Sequence, residues 1–281
     1  MHTVIRSGRF YFWPIIAANV LAMTYAIGGD SLRAVAFSIV ISCMSSFGFL
    51  LNDLWDREVD QVNKANHFEN SSSRTIRAGV LAALAFLALG MSLAYMLGVK
   101  EFRLAIIIAL TLTAYTLLLR RMLLAPTVVA ASLATSPLWS PLVLWAHSVD
   151  VAKWIFIGTL VLIVAAREIL MDTRDRVGDI AGKRDTLATV FGPRIAKLVA
   201  ALLTVSASVP FAIVLIDNSL RLFLLNKIVV TLVASFILYL LIRYAVGTLT
   251  EEGGERAAIQ RYVLCSRIAM ALIPILVIFL W

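Results

Sequence analysis

Apolar stretches of about 20 residues follow one another along this chain, the length of helix that spans a bilayer. Short polar connections separate them. The pattern predicts nine helices, at roughly 10–28, 32–52, 79–98, 103–119, 123–146, 152–170, 195–216, 220–243 and 262–281. Helices are expected rather than strands, because an open sheet edge could not satisfy its backbone groups in lipid. The fifth segment carries Pro126, Pro137 and Pro141, so it is the one expected to break or kink where a cavity needs room.

The connections are unequal. On one face they are tight; on the other, three long ones are expected at about 52–78, 171–194 and 244–261. Basic residues divide the same way. Arg57, Lys64, Arg74, Arg77, Arg120, Arg121, Arg174, Arg176, Lys183, Arg184, Arg194, Lys197, Arg256 and Arg261 fall on the long-loop face, against Arg33, Lys100, Arg103, Lys153, Arg221 and Lys227 on the other. By the positive-inside rule the long loops are cytoplasmic, the N-terminus is inside and the C-terminus is outside.

Composition supports an all-α, polytopic membrane protein that forms one domain over 1–281. Hydrophobic residues make up 61% of the 281 and charged residues 15%, against roughly 25% charged in soluble domains. The net charge of +8 raises nucleic acid as a partner, but topology explains the scattered basic residues better, and none is expected. Cys43 and Cys265 both lie in apolar segments and read as small buried residues, not a disulfide. Arg6 and Arg9 precede an apolar run without a convincing cleavage site, so that run reads as the first span.

Two acidic clusters stand out from this apolar background. The first long loop opens Asn52-Asp53-Leu54-Trp55-Asp56-Arg57-Glu58-Val59-Asp60, and a helix puts Asp53, Asp56 and Asp60 on one side. The second, Asp172-Thr173-Arg174-Asp175-Arg176-Val177-Gly178-Asp179, repeats the spacing. Charged residues are common at a solvated helix end. However, like charges on one face repel, and carboxylates at a helix C-terminus oppose its dipole. Two matched triads argue for cations held between them. Magnesium suits, since it takes carboxylate oxygens while bridging to phosphates.

Basic residues complete the constellation. Lys64, Arg74 and Arg77 follow the first triad, Arg120 and Arg121 end the fourth helix, and Arg167, Lys183 and Arg184 flank the second triad. Any one of these is more simply a topology anchor. Arg167 is the stronger candidate, because it lies within an apolar helix, where a charge is costly. Together they would neutralise a diphosphate leaving group. The chemistry implied is ionisation of an allylic diphosphate whose tail stays at lipid depth. Phe49, Trp55, Tyr115 and Trp139 are candidates to shield the developing cation, although packing is the commoner role for an aromatic ring.

These residues resemble the UbiA superfamily of intramembrane prenyltransferases over nearly the whole chain. The family's Asn-Asp-x-x-Asp-x-x-x-Asp signature is met by Asn52, Asp53, Asp56 and Asp60, and its second aspartate series by Asp172, Asp175 and Asp179. A Tyr-x-x-x-x-Lys/Arg helix end is met by Tyr115 and Arg120, with Arg121 the alternative. Gly182, Thr186-Leu187-Ala188 and Gly192 match the stretch after the second series. The resemblance implies nine helices around a central cavity, magnesium ligands among the six aspartates, diphosphate binding by residues such as Asn52, and a lateral route for lipid substrates. The chain departs from the family at Lys64-Ala65, at an insertion through Asn66–Asn70, and at Thr75 and Ala188, where family prolines are missing. The departures leave the acceptor open: an aromatic acid, a quinone precursor, a porphyrin-type alcohol or a glycerol phosphate. His67 in the insertion is a candidate acceptor base, though a lone loop histidine is more often solvated.

The expected function is therefore magnesium-dependent transfer of a prenyl group from a prenyl diphosphate to a lipophilic acceptor, with membrane lipid as the surroundings. A membrane terpene cyclase shares the ionisation step and is the alternative. A transporter fits less well, because the charges gather at one membrane edge and no repeat is evident. The short chain, without a transit peptide, suits a prokaryotic cell membrane.

Overall fold

The structure is a computed structural model that describes residues 2–57, 68, 71–119, 122–148, 150–219, 224–250 and 255–281. Every regular element among them is helical. A short α1 (His2–Ser7) and a 3₁₀ turn (Phe10–Phe12) lead into α2 (Trp13–Ala26), α3 (Ser31–Trp55), α4 (Ser73–Leu97) and α5 (Val99–Leu117). The second half contains α6 (Ala125–Ala134), α7 (Ser136–Trp145), α8 (Val151–Ala181), α9 (Leu187–Val190), α10 (Pro193–Ser219), α11 (Leu224–Thr250) and α12 (Glu255–Leu280). This is an integral membrane protein: among the described residues five helices, α3, α4, α8, α10 and α12, are long and apolar enough to cross a bilayer.

The expected break falls within the fifth segment. The chain bends by 69° between α6 and α7, and the bent pair makes a sixth span if it crosses as one unit. Pro126 and Pro137 sit in the first turns of α6 and α7, positions that lack an intrahelical N–H partner in any case. Trp139 secures the corner by donating its indole N–H to the Ser132 carbonyl at 2.8 Å.

Two long loops expected from the hydropathy are instead largely helix. α8 continues to Ala181 and α10 begins at Pro193, so only the α9 turn and its flanks remain of 171–194. α11 continues to Thr250 and α12 begins at Glu255, so the described part of 244–261 is helix as well. Hydropathy marks where a helix leaves the apolar layer. It does not mark where the backbone hydrogen bonding ends.

Among the described residues two large apolar cores fill the bundle. One joins α2 to α3, α4 and α5 around Phe37, Met44 and Leu50. The other joins α2 and α7 to α8, α10, α11 and α12 around Phe156, Leu170 and Tyr262. Trp139 packs against both. Polar ties close the ring: Tyr262 and Thr204 hydroxyls meet at 2.8 Å, and the Asn19 amide on α2 donates to the Met270 carbonyl on α12 at 3.5 Å. Cys43 and Cys265 are buried free thiols. Phe68, from the inserted stretch, is buried in the first core. Gly79 makes that possible, since a Cβ there would stand 2.9 Å from the Phe68 ring.

Candidate active site

Helix α3 ends at the first aspartate motif. Asp56 is its C-cap, with the backbone N–H bonded to the Asn52 carbonyl at 2.9 Å. Asp53 and Asp56 are only 5% and 2% exposed, a burial that carboxylates tolerate only with hydrogen bonds or counter-charges. Asp53 receives them from the N-terminal segment. The Ser7 hydroxyl donates to it at 2.5 Å, and the Arg9 guanidinium lies 3.4 Å away.

That segment is built to present both groups. Arg9 adopts the left-handed conformation (φ 49, ψ 43), which reverses the chain between α1 and the 3₁₀ turn. Ser46 on α3 donates to the Gly8 carbonyl at 2.8 Å and accepts the Trp13 indole N–H at 3.0 Å. The Arg9 guanidinium then stands 4.4 Å above the Phe49 ring, so one face of Phe49 already carries a cation.

Helix α8 carries the second motif in its last turns. Arg174 forks onto Asp175 at 2.8 and 2.6 Å, and Arg167 bonds Glu168 at 2.5 Å. Asp179 is 3% exposed. Just beyond it the helix stops in a Schellman turn. Lys183 takes φ 52, its N–H bonds the Ile180 carbonyl at 3.2 Å, and the Arg184 N–H returns to the Asp179 carbonyl at 2.9 Å. A non-glycine residue in this conformation costs about 1 kcal/mol.

This turn brings the two motifs together. One nitrogen of the Arg184 guanidinium pairs with Asp56, and the other stands 3.4 Å from Asp179. The stretch after it is fixed as well. Thr189 donates to the Arg184 carbonyl at 2.9 Å, Thr186 and Thr189 form a capping box, and Arg176 donates to the Ala188 carbonyl at 3.0 Å. Tyr115, at the end of α5, lies within electrostatic reach of Glu168, Asp172, Asp179 and Arg184. On α12, Arg267 lies within reach of Arg167, Arg9 and Arg174.

The candidates from sequence thus separate into groups. Asp53, Asp56, Asp172, Asp179, Tyr115 and Phe49 gather at one end of the bundle, with Asn52 one residue before Asp53. Asp175 and Arg167 are there too, each held by its neighbour. Arg74 is exposed in the first turn of α4, and Lys183 is exposed while its neighbour Arg184 points inward. Trp139 serves the α6–α7 corner. Asp60, Lys64, Arg120, Arg121 and His67 lie outside the described residues. Ser7 and Arg9 are not marked as site residues by the sequence: both lie ahead of the first span, where an arginine reads as a topology anchor and a lone serine carries no motif. Arg184 reads from sequence as one cation among those around a diphosphate, not as the link between the two motifs.

The donor chemistry fits a divalent cation. Buried carboxylate oxygens from both motifs already converge on positive charge, and such oxygens are what magnesium takes. Among the described residues no three such donors stand grouped around one point. The motifs meet through arginine instead.

A model of the UbiA prenyltransferase family matches residues 11–263. The chain belongs to the UbiA prenyltransferase family. Its relatives include the digeranylgeranylglyceryl phosphate synthase of Metallosphaera sedula, 26% identical over 92% of this chain and 86% of that protein. The synthase of the same name from Thermococcus kodakarensis is 30% identical over 68% and 70%. Among solved structures, a UbiA homolog from Archaeoglobus fulgidus bound to GPP and Mg²⁺ aligns with a TM-score of 0.66, at 17% identity, over 98% of this chain and 99% of its own. An apo UbiA homolog from Aeropyrum pernix aligns at 0.72, with 15% identity, over 98% and 97%. These two likenesses are of fold.

Proposed function

We propose that this UbiA family member moves the prenyl group of a prenyl diphosphate onto the hydroxyl of a prenylated glycerol phosphate. The C–O bond to diphosphate breaks, with the electron pair leaving on the diphosphate. A C–O ether bond forms, and the hydroxyl loses its proton. The observation that carries the reading is Arg184 between Asp56 and Asp179, which joins the two motifs into one charged centre at the end of an apolar bundle.

Each residue then has a task. Asp53, Asp56 and Asp179, with Asp60, Asp172 and Asp175, would hold magnesium, which would supply charge to neutralise the leaving group. Asn52, Lys64, Arg74, Arg120, Arg121, Arg167, Lys183 and Arg184 are the candidates to bind diphosphate oxygens. Tyr115, Trp139 and Phe49 border the path of the hydrocarbon. A glycerol phosphate acceptor brings a second phosphate, and the Arg9, Arg167, Arg174 and Arg267 group offers charge to receive it. The name shared by the Metallosphaera and Thermococcus relatives supports this acceptor. The whole chain acts as one domain in a prokaryotic membrane, with the N-terminus and the aspartate end at the cytoplasmic face, as the basic residues favour.

The test is turnover by purified protein with geranylgeranyl diphosphate and magnesium, with and without geranylgeranylglyceryl phosphate. Ether product that requires both substrates is expected. Cyclised or hydroxylated terpene from donor alone would replace the transferase with a cyclase.

A further inference from the structure

The Arg184 clasp bears on how metal enters the site, an inference that rests on the metal reading above. Asp56 and Asp179 come from helices distant in sequence, and one guanidinium engages both. A divalent cation bound by these carboxylates and the guanidinium that now pairs with them would compete for the same oxygens. A guanidinium and a divalent cation on the same oxygens repel each other strongly in so buried a place.

The anchoring of Arg184 suits an exchange of partners. Its backbone is held on both sides, by the N–H bond to the Asp179 carbonyl and by Thr189 on its own carbonyl. The side chain alone is free to swing. Arginine is also well matched to both partners, since its planar fork binds carboxylate and phosphate oxygens alike.

We propose that Arg184 is a surrogate cation, a positioning residue that holds Asp56 and Asp179 together and yields them to metal when a diphosphate arrives to take its charge. Metal alone then binds weakly, because it must displace the guanidinium. Metal with donor binds well, because the guanidinium gains a new anion. The clasp makes the carboxylate pair selective for metal that comes with its substrate.

The test is manganese binding to the full chain in nanodiscs with no diphosphate present, read from the free-ion EPR signal. Wild type, Arg184→Gln, Asp56→Asn and the double variant are compared. An opposite charge at ion-pair distance shifts a carboxylate's preference by one or more tenfold steps, so Arg184→Gln is expected to bind manganese about tenfold more tightly. A residue that only props the site open predicts the reverse. Equal or weaker binding by Arg184→Gln, with wild-type uptake still abolished by Asp56→Asn, overturns the surrogate and leaves the metal site intact. Uptake that Asp56→Asn lowers in neither background overturns both. Should Arg184→Gln fail to fold, Arg184→Lys carries the test. A single ammonium cannot fork across both carboxylates, so binding about threefold tighter than wild type is expected, and unchanged binding overturns the proposal.

Discussion

Asp30 and Asp150 open α3 and α8, whereas Asp53, Asp56, Asp175 and Asp179 close the same two helices. At the opening end each carboxylate caps its helix. Asp30 accepts the N–H groups of Leu32 and Arg33, and Asp150 those of Ala152 and Lys153. Negative charge there agrees with the helix dipole. Glu101 at the same end is 1% exposed, pairs with Arg33 at 2.6 Å and accepts the Trp145 indole N–H at 2.8 Å. At the closing end the carboxylates face the negative pole of the dipole, and three of them are buried. They persist there because Ser7, Arg9 and Arg184 reach them from elsewhere in the chain. The same side-chain type is thus used for stability at one end and for a charged, compensable centre at the other.

The sharpest way to break this contrast is to neutralise one carboxylate at each end. Asp56→Asn is expected to lower turnover about a thousandfold, a loss of about 4 kcal/mol of transition-state stabilisation. Its melting temperature in detergent should change little, since the amide oxygen still accepts from Arg184, which keeps Asp179 as its counter-charge. Diphosphate release and a thermal melt on the same sample check both halves. Turnover within tenfold of wild type would remove Asp56 from the site.

Glu101→Ala is the counterpart at the other end. It leaves Arg33 without its buried partner and the Trp145 indole without an acceptor. Arg33 is partly exposed and can recover water, so the expected cost is about 2 kcal/mol, below the full penalty for a fully buried pair. Activity per folded molecule should stay near wild type. Loss of activity without loss of stability would mean that the two ends do not divide their roles in this way.

Much of this division is legible in the sequence, and the exceptions share a cause. The aspartate spacing placed both motifs, and the prolines placed the break in the fifth segment. Helix ends beyond the apolar layer were not legible, because polar residues such as Arg174 and Arg176 continue α8 without any hydropathic sign. The Arg184 contact was hidden for another reason. It depends on a left-handed turn at Lys183, where the usual signal is glycine, and on Asp56, which is 128 residues away. Ser7 and Arg9 were hidden by their position before the first span, where a basic residue reads as an anchor.

Lys183 sharpens the comparison from within the active end. The sequence offers it as a diphosphate ligand, while the structure gives it the strained position of the Schellman turn. Lys183→Gly relieves that strain and should stabilise the protein by about 1 kcal/mol. Unchanged KM for the donor alongside that gain would assign Lys183 to the turn alone. A raised KM would assign it to the diphosphate as well, and both parameters come from one set of melts and rate measurements.

The smallest effect belongs to Asp150, and its pH dependence separates cap from charge. Partial burial pushes its carboxyl up, but this is outweighed by hydrogen bonds from the Lys153 side chain and backbone, the Lys153 charge and the Ala152 N–H, which hold it below the usual carboxylate value. A carboxyl depressed by folding stabilises the protein above its unfolded pKa, about 3.9. That contribution falls away as pH drops through the folded value. Asp150→Asn keeps a side-chain oxygen for the cap and loses the charge, so it should cost a few tenths of a kcal/mol at pH 7. Asp150→Ala loses both and should cost about 1 kcal/mol. Melts at falling pH should therefore narrow the gap between wild type and Asp150→Asn below about pH 3.9, while Asp150→Ala stays below them. A gap between wild type and Asp150→Asn that does not narrow at all as pH falls would remove the Lys153–Asp150 ion pair as its source and leave Lys153 with another partner. The Trp281 ring, 5.2 Å from its ammonium, would then be the partner to remove next.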